Sequence, residues 1–200
     1  MFTRHCARPS RTSTGAPTSG ACAWWSRGVG HVGAALACEI ARQGATVLVA
    51  DVDSDRARAV AHRIGGVCLD PVAVETTPCD VYAPCAHAGV LHAEAIERLR
   101  CRVIVGAAND TLGEPADAER LARRGITYVP DFVANAGGVV HIHATRERWP
   151  MPRLRAEVLR IGDRTGQLLA EAAKEHRTPL AMAEKRAAQL LADARTGVSK

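Results

Sequence analysis

The amino-acid sequence predicts an α/β protein whose core is a doubly wound parallel sheet. Short apolar segments rich in β-branched residues alternate with segments of helical periodicity over most of the chain, and this alternation is typical of a parallel sheet covered by helices on both faces. A glycine pattern, G-x-G-x-x-G, occupies Gly28, Gly30 and Gly33, and is followed by a helical segment, an apolar segment at 45–50 and Asp51. These features in this order predict a Rossmann-like fold.

The stretch from Gly28 to Asp51 has the residue types that bind the pyrophosphate of a dinucleotide. Gly28 permits a tight turn, Gly30 lets backbone N–H groups approach the phosphates, and Gly33 allows the following helix to pack closely on its strand. The N-terminus of that helix adds partial positive charge. Asp51 lies about twenty residues further on, where a carboxylate binds the ribose hydroxyls of the adenosine and repels a 2′-phosphate. The sequence therefore predicts NAD as the cofactor, in preference to NADP.

The remaining segments continue the alternation of helices and strands. Helices are predicted at 34–43, 56–64, 93–100 and 115–124, and strands at 67–69, 80–83, 102–107 and 126–129. Asp53 is predicted to cap the second helix, because a short acidic side chain can accept a backbone N–H of the first turn. Further helices are predicted at 139–147, 153–175 and 179–195. We expect a cofactor-binding domain over 28–150 and C-terminal helices over 151–200 that pack on the same domain.

Residues 1–27 differ from the rest of the chain. They are rich in Ser, Thr, Pro and Arg, and Trp24 and Trp25 stand where a central strand normally carries Val or Ile. Adjacent Trp side chains would point to opposite faces of the sheet and overfill both. Since Trp is always encoded by TGG, a shifted frame over Trp24-Trp25-Ser26 reads as Val-Val if Ser26 uses a TCN codon. One hypothesis is therefore that residues 1–27 are an out-of-frame translation, and the alternative is a natural disordered extension.

Composition and charge argue for a globular domain and against a membrane or a nucleic acid as its partner. Of 200 residues, 47% are hydrophobic and 24% charged, as in a globular domain. No run of about 18 apolar residues is present, so no membrane partner is predicted. The net charge is +5, but the basic residues are scattered and aromatic residues make up 4%, which argues against a nucleic-acid partner. The seven cysteines lack C-x-x-C spacing, which favours a reducing, cytoplasmic location.

Cys79, Cys85 and His87 are the strongest candidates for a metal site, because they lie close together in sequence. They do not form a tetrahedral ligand set with the usual spacing, and a Cys beside a strand is more often buried in the core. His141 and His143 would diverge on a helix. No metal site is therefore predicted. Cys85 has no evident base in sequence to make it a nucleophile.

Four parts of the sequence, in the same order and spacing, resemble one known family. They are GVGHVG with LVADVD, CDVYAPCA, VIVGAAND and YVPDFVANAGGV. They are similar to the cofactor-binding domain of the Leu/Phe/Val dehydrogenases, which are NAD-dependent amino-acid dehydrogenases related to glutamate dehydrogenase. The resemblance covers about residues 28–195. It implies oxidative deamination of a branched-chain or aromatic L-amino acid to a 2-oxo acid and ammonia, and a homo-oligomer as the intact enzyme.

The resemblance assigns a role to each matching position. Asn135 would hold the nicotinamide carboxamide, Asn109 would reach toward the reacting centre, and Asp51 would bind the adenosine ribose. Val139 and Ile142 would line the pocket for the substrate side chain. The residues implied to contact the cofactor are Gly28, Gly30, His31, Val32, Gly33, Asp51, Ala83, Pro84, Cys85, Ala107, Ala108, Asn109 and Asn135.

The resemblance also implies a second domain, since members of the family carry a catalytic Lys in a glycine-rich loop and a catalytic Asp in an N-terminal domain. Lys174, Lys185 and Lys200 are the lysines of this chain, and none lies in such a motif. We therefore assign no catalytic residue, and expect the chain alone to be inactive, to bind NAD and to expose apolar surface along its cleft. The alternative is a non-catalytic nucleotide-binding module or the product of a disrupted gene.

Overall fold

The described part of the chain builds one six-stranded parallel sheet. The structure is a computed structural model and describes residues 22–195 and 197. The strands are β1 (Ala23–Arg27), β2 (Thr46–Ala50), β3 (Val67–Cys68), β4 (Val81–Pro84), β5 (Val103–Ile104) and β6 (Thr127–Tyr128). They lie in the order β3-β2-β1-β4-β5-β6, with every neighbouring pair parallel. This order confirms the predicted doubly wound, Rossmann-like α/β fold.

Helices connect the strands and continue beyond the last one. They are α1 (His31–Arg42), α2 (Ser54–Ile64), α3 (Ala93–Arg98), α4 (Asp117–Arg123), α5 (Asp131–Ala134), α6 (Gly137–Arg146), α7 (Met151–Lys174) and α8 (Pro179–Arg195). A short 3₁₀ helix spans Pro71–Glu75. The predicted N-cap of α2 is confirmed, because the Asp53 side chain accepts the backbone N–H of Arg56.

Each face of the sheet buries its own hydrophobic cluster. Successive side chains of a strand point to opposite faces, so Val47 and Val49 of β2 pack with α1 and α2, whereas Leu48 and Ala50 pack with α3 and α4. Both faces are therefore covered, which is why the strands read as continuous apolar runs in the sequence.

β1 is the central strand, contrary to the expectation that residues 1–27 lie outside the sheet. It pairs with β2 on one side and β4 on the other. Trp25 is wholly buried in the cluster on the α3 face, where Ala23 and Ala50 leave room for it, and Trp24 is half-buried on the other face. The sheet thus begins before the boundary predicted at Gly28. The expectation of a disordered or out-of-frame segment otherwise falls on residues 1–21, which lie outside the described residues.

β5 is shorter than the strand predicted at 102–107. The N–H of Val105 still donates to the carbonyl of Tyr82, but the N–H groups of Ala107 and Ala108 both donate to the carbonyl of Pro84. Two successive donors that converge on one oxygen cannot belong to an extended ladder. The segment therefore turns at the edge of the sheet where the predicted site residues lie.

The C-terminal helices pack together and against the sheet. Leu168 and Ala172 of α7 and Met182 and Ala183 of α8 form a small buried cluster. The hydroxyl of Thr178, just before α8, donates to the carboxylate of Glu119 on α4 at 3.2 Å. These contacts join the helical hairpin to the end of the sheet that carries β6.

Replacement of Trp25 tests how well its side chain fits the hydrophobic cluster on the α3 face of the sheet. Its indole Nε1 is buried without a hydrogen-bond partner, and such a donor costs about 1–3 kcal/mol. Trp25→Phe removes the donor and keeps an aromatic ring, so we expect its free energy of unfolding to stay within about 1 kcal/mol of the wild-type value. Trp25→Ala should lose about 3–5 kcal/mol through the cavity it leaves. Urea denaturation followed by circular dichroism measures both, and equal losses would contradict the prediction.

Candidate functional site

The predicted site residues lie where the strand order reverses, at the carboxyl ends of β1 and β4. The two strands are neighbours in the sheet, but their connections run to opposite faces. Backbone bonds hold the loops that leave them: Gly28 N–H donates to the carbonyl of Ala50 at 2.8 Å, and Cys85 N–H to the carbonyl of Arg27 at 2.7 Å. Open α/β sheets bind their ligands in the crevice formed at such a position.

The three glycines of the loop after β1 have different surroundings. Gly28 has a φ of 97°, and a Cβ there would lie 2.8 Å from the Cβ of Ala86. A Cβ at Gly33 would collide with the carbonyl oxygen of Gly28 and lie 3.1 Å from the Cβ of Cys85. A Cβ at Gly30 would meet nothing within 4 Å. Gly28 and Gly33 thus serve the packing of the loop, while Gly30 faces open space.

That open space lies over the N-terminus of α1. Gly30 is the N-cap residue and offers no side chain to accept the N–H groups of the first turn, which also contains no acidic residue. His31 and Val32 begin the helix and are exposed. The partial positive charge at this helix end is therefore available to an anion that approaches along Gly30.

Asp51 ties the glycine loop to the end of β2. Its Oδ2 accepts the backbone N–H of Val29 at 2.8 Å, and its Oδ1 accepts the backbone N–H of Asp53 at 3.0 Å. The side chain is 8% exposed. Each carboxylate oxygen keeps a further lone pair, so Asp51 can accept a hydroxyl in addition to these bonds. Sequence reasoning missed this second, structural role.

The loops that follow β4 and β5 are in close contact. The carbonyl of Pro84 accepts the N–H groups of Ala107 and Ala108, each at 3.0 Å. A Cβ at Gly106 would overlap with that carbonyl oxygen. Ala83, Pro84 and Ala108 are all buried. Gly106 is a site residue that sequence reasoning missed, although a glycine within an apolar strand segment signals a close backbone approach.

Cys85 is half-buried beside the glycine loop. Burial raises the pKa of its thiol, and hydrogen bonds from the backbone of Ala107 and the side chain of Ser26 oppose that effect without reversing it. A raised pKa keeps the thiol neutral at physiological pH. Cys85 therefore contributes its shape to the site and lacks the thiolate that nucleophilic chemistry needs.

Asn135 brings three of the predicted residues together. Its Nδ2 donates to the carbonyl of Ala107 at 2.8 Å and to Oδ1 of Asn109 at 2.9 Å. Both amide hydrogens of Asn135 are then used, so Asn135 has its Oδ1 acceptor to offer to a ligand, and Asn109 has its amide donors. The pair can thus bind a group that both donates and accepts, as a carboxamide does.

Asp131 is a second residue of this region that sequence reasoning missed. Its carboxylate accepts the backbone N–H groups of Asp110 and of Phe132, the latter at 2.9 Å. Asp110 has a left-handed backbone conformation, with a φ of 52°. The carbonyl of Asp131 accepts the N–H of Asn135 at 2.7 Å. Asp131 therefore holds the loop after β5 against the helix turn that carries Asn135.

The predicted substrate residues lie on an open apolar surface beyond Asn135. Val139 and Ile142 of α6 are 72% and 63% exposed, and Phe132 of α5 is 54% exposed. The described residues do not enclose the predicted pocket. This surface matches the apolar exposure expected along the cleft.

The described residues also contain a cavity away from the predicted site, but they contain no group of side chains suited to a metal ion. A cavity of about 630 Å³ lies at the opposite edge of the sheet, against Val103, Thr127, Ala172 and Thr178. Within residues 22–195 and 197, no three His, Cys, Asp or Glu side chains are grouped so that they could hold a metal ion. None of the described helices combines the length and apolar character needed to span a membrane.

Comparison with known proteins identifies the family. Residues 53–188 match the family model described as Glutamate/Leucine/Phenylalanine/Valine dehydrogenase. The chain belongs to this dehydrogenase family. The match covers α2 and the strands β3 to β6, and it includes the loops that carry Pro84, Asn109 and Asn135.

Curated members of the dehydrogenase family are similar over the same region. Valine dehydrogenase of Streptomyces albus is 36% identical over 171 residues, which are 84% of this chain and 47% of that protein. Leucine dehydrogenase of Thermoactinomyces intermedius is 37% identical over 116 residues, which are 58% of this chain and 32% of that protein. The chain thus spans at most about half the length of these relatives.

A solved structure from the family has the same fold. The crystal structure of L-tryptophan dehydrogenase from Nostoc punctiforme matches with a TM-score of 0.84 and 27% sequence identity, over 88% of this chain and 54% of that one. The chain therefore folds like about half of a complete amino-acid dehydrogenase.

Alanine substitutions test the separate roles of Gly30 and Gly33. Gly33→Ala places a methyl group against backbone atoms, so we expect a loss of about 3 kcal/mol, at the upper end of the range for overpacking. Gly30→Ala meets open space and should lose less than about 1 kcal/mol, the cost of a poorer N-cap. Urea denaturation measures both values. Similar losses would show that the loop does not have the described packing.

Proposed function

We propose that this chain is the cofactor-binding half of an NAD-dependent amino-acid dehydrogenase. The observation that carries the proposal is the pairing of an open helix N-terminus at Gly30 with the carboxylate of Asp51. This carboxylate accepts the backbone N–H of Val29, the residue before Gly30, at 2.8 Å. A positive helix end beside an acidic strand end fits a pyrophosphate joined to a ribose. Membership of the dehydrogenase family supports the same assignment.

The adenosine end of NAD would lie against Asp51. The side chain is held by two backbone N–H groups, so its orientation is set before the ligand arrives. Its remaining lone pairs would accept the ribose hydroxyls. The pyrophosphate would lie along Gly28–Gly33, and Ala83, Pro84 and Cys85 would flank the adenine and ribose side of the cofactor.

The nicotinamide end would lie against Asn135 and Asn109. Asn135 would accept the carboxamide N–H through Oδ1, since both of its own amide hydrogens are already bonded. Asn109 would lie beside the reacting carbon. NAD bound here would accept a hydride from the α-carbon of the amino acid. Ala107 and Ala108 would pack along the nicotinamide ribose.

The substrate would be an L-amino acid with an apolar side chain. Val139, Ile142 and Phe132 present an exposed apolar surface next to Asn135. The names of the relatives, valine dehydrogenase and leucine dehydrogenase, support a branched-chain substrate. Because the chain spans at most about half of those proteins, we place the other wall of this pocket in a partner domain. A homo-oligomeric assembly and a cytoplasmic location are part of the same proposal.

The chain by itself would bind the cofactor without catalysis. Lys174 ends α7 and Lys185 pairs with Glu175 at 2.7 Å. Ala173, next to Lys174, and Ala181, about one helical turn before Lys185, line the cavity at the first residues of β5 and β6. This is the edge of the sheet opposite to Gly30 and Asn135. Neither Lys is thus placed to act on a substrate beside the nicotinamide. This placement also favours the second candidate function, a non-catalytic NAD-binding module.

Binding of NAD tests the proposed site. Isothermal titration of the 200-residue chain with NAD⁺ should show one site, and Gly30→Ala should weaken it by at least about tenfold, because the methyl group occupies the place of the pyrophosphate. Asn135→Ala should weaken NAD⁺ but not ADP-ribose, which lacks the nicotinamide. Absence of NAD⁺ binding by the wild-type chain would contradict the proposal.

Activity of the chain alone is a separate test. With NADH, ammonium and an apolar 2-oxo acid such as 2-oxoisovalerate, we expect no loss of NADH absorbance in proportion to protein, because no described Lys faces the nicotinamide end. Proportional loss of NADH would show that the chain supplies its own catalytic group.

A further inference from the structure

Three charged residues surround the place proposed for the adenosine ribose. Asp51 directly follows β2, Asp53 caps α2, and Arg56 lies in the first turn of α2. The Nη2 of Arg56 is 2.9 Å from Oδ2 of Asp53, and its Nη1 is 3.6 Å from Oδ1 of Asp51. The Arg56 side chain is 49% exposed. A guanidinium group therefore lies beside the carboxylate that is expected to bind the ribose.

Asp53 binds Arg56 through both of its carboxylate oxygens, one at the backbone and one at the guanidinium. Oδ1 accepts the backbone N–H of Arg56 at 3.0 Å as the helix cap, and Oδ2 accepts Nη2 of the same residue. The backbone N–H of Arg56 lowers the pKa of Asp53, and the Arg56 guanidinium contributes to the same effect. The carboxylate is therefore ionised at neutral pH. One residue thus determines both where α2 begins and where the Arg56 side chain lies.

Arginine is the residue best suited to bind a phosphate, because its fork of N–H groups matches two phosphate oxygens. In dinucleotide-binding folds an Arg near the end of the second strand accommodates the 2′-phosphate of NADP. Arg56 is at that place, but its guanidinium is bound by two carboxylates. The group of three carries a net charge of −1, which disfavours a further dianion.

We propose that Asp53 is a specificity-determining residue, which favours NAD over NADP by keeping the Arg56 guanidinium paired with carboxylates. The inference rests on the proposed function, since it concerns the adenosine end of the same NAD site. Asp51 repels a 2′-phosphate directly, whereas Asp53 forms an ion pair with the Arg56 guanidinium that would otherwise bind this phosphate. Loss of the Asp53 charge removes the shorter of the two ion pairs of Arg56, while Ser or Asn at this position still caps α2.

The test compares Asp53→Ser with Asp55→Ser. Asp55 lies in the same turn of α2, is 92% exposed and pairs with Arg58 at 2.6 Å, so its replacement changes the net charge equally without releasing Arg56. Isothermal titration of each chain with NAD⁺ and NADP⁺ gives the ratio of the two dissociation constants. We expect Asp53→Ser to shift this ratio toward NADP⁺ by about 3- to 10-fold, and Asp55→Ser by less than about 2-fold.

A second comparison identifies the cation. In the double variant with Asp53→Ser and Arg56→Gln, the shift toward NADP⁺ should disappear, because the released guanidinium is gone. Thermal unfolding by circular dichroism checks that each variant is folded, and Asp53→Asn replaces Asp53→Ser should the latter unfold. Equal shifts in Asp53→Ser and Asp55→Ser, or a shift that survives Arg56→Gln, would overturn the inference while NAD⁺ binding stands. A wild-type chain that binds neither dinucleotide would overturn the proposed function, and this inference with it.

Discussion

The carboxylate of Asp51 accepts a hydrogen bond from the backbone N–H of Val29. This bond joins the two ends of the sequence motif that runs from Gly28 to Asp51. It links the glycine loop after β1 to the end of β2 at 2.8 Å. Because β1 and β2 are parallel neighbours, the bond forms only when both strands are in register. The position of the α1 N-terminus and the position proposed for the ribose therefore depend on one contact, and the charged group around Arg56 is arranged about the same carboxylate.

The loops at this edge of the sheet approach one another so closely that glycine is required at defined positions. Gly33 lies against the carbonyl of Gly28, and Gly106 lies against the carbonyl of Pro84. The loop after β5 is then held to the turn after α5 by Asn135 and Asp131. The site is thus built by close backbone approaches and side-chain hydrogen bonds among the loops that follow β1, β2, β4, β5 and β6. Such a preorganised site loses little conformational entropy when a ligand binds.

One side of the site is apolar and open. The exposed surface of Phe132, Val139 and Ile142 lies next to the asparagine pair, and the relatives extend to about twice the length that this chain matches. Exposed apolar surface of this kind is typical of a face that another domain covers. The sheet therefore has a hydrophobic cluster on each of its faces, whereas the proposed pocket for an amino-acid side chain would need groups from another domain.

Sequence patterns by themselves determined the fold class, the order of the elements, the cap at Asp53 and the glycine loop with Asp51, because glycine spacing, apolar periodicity and short polar caps act locally. The other residues expected at the site came from the resemblance of the sequence to the dehydrogenases. Only the tertiary structure decided that Trp24 and Trp25 belong to the central strand, since local volume arguments ignore the small neighbours Ala23 and Ala50. It also decided the second role of Asp51, the contact at Gly106 and the contact of Asp131 with Asp110. These depend on distances between loops that are remote in sequence, and those distances exist only when the strands lie side by side in the sheet.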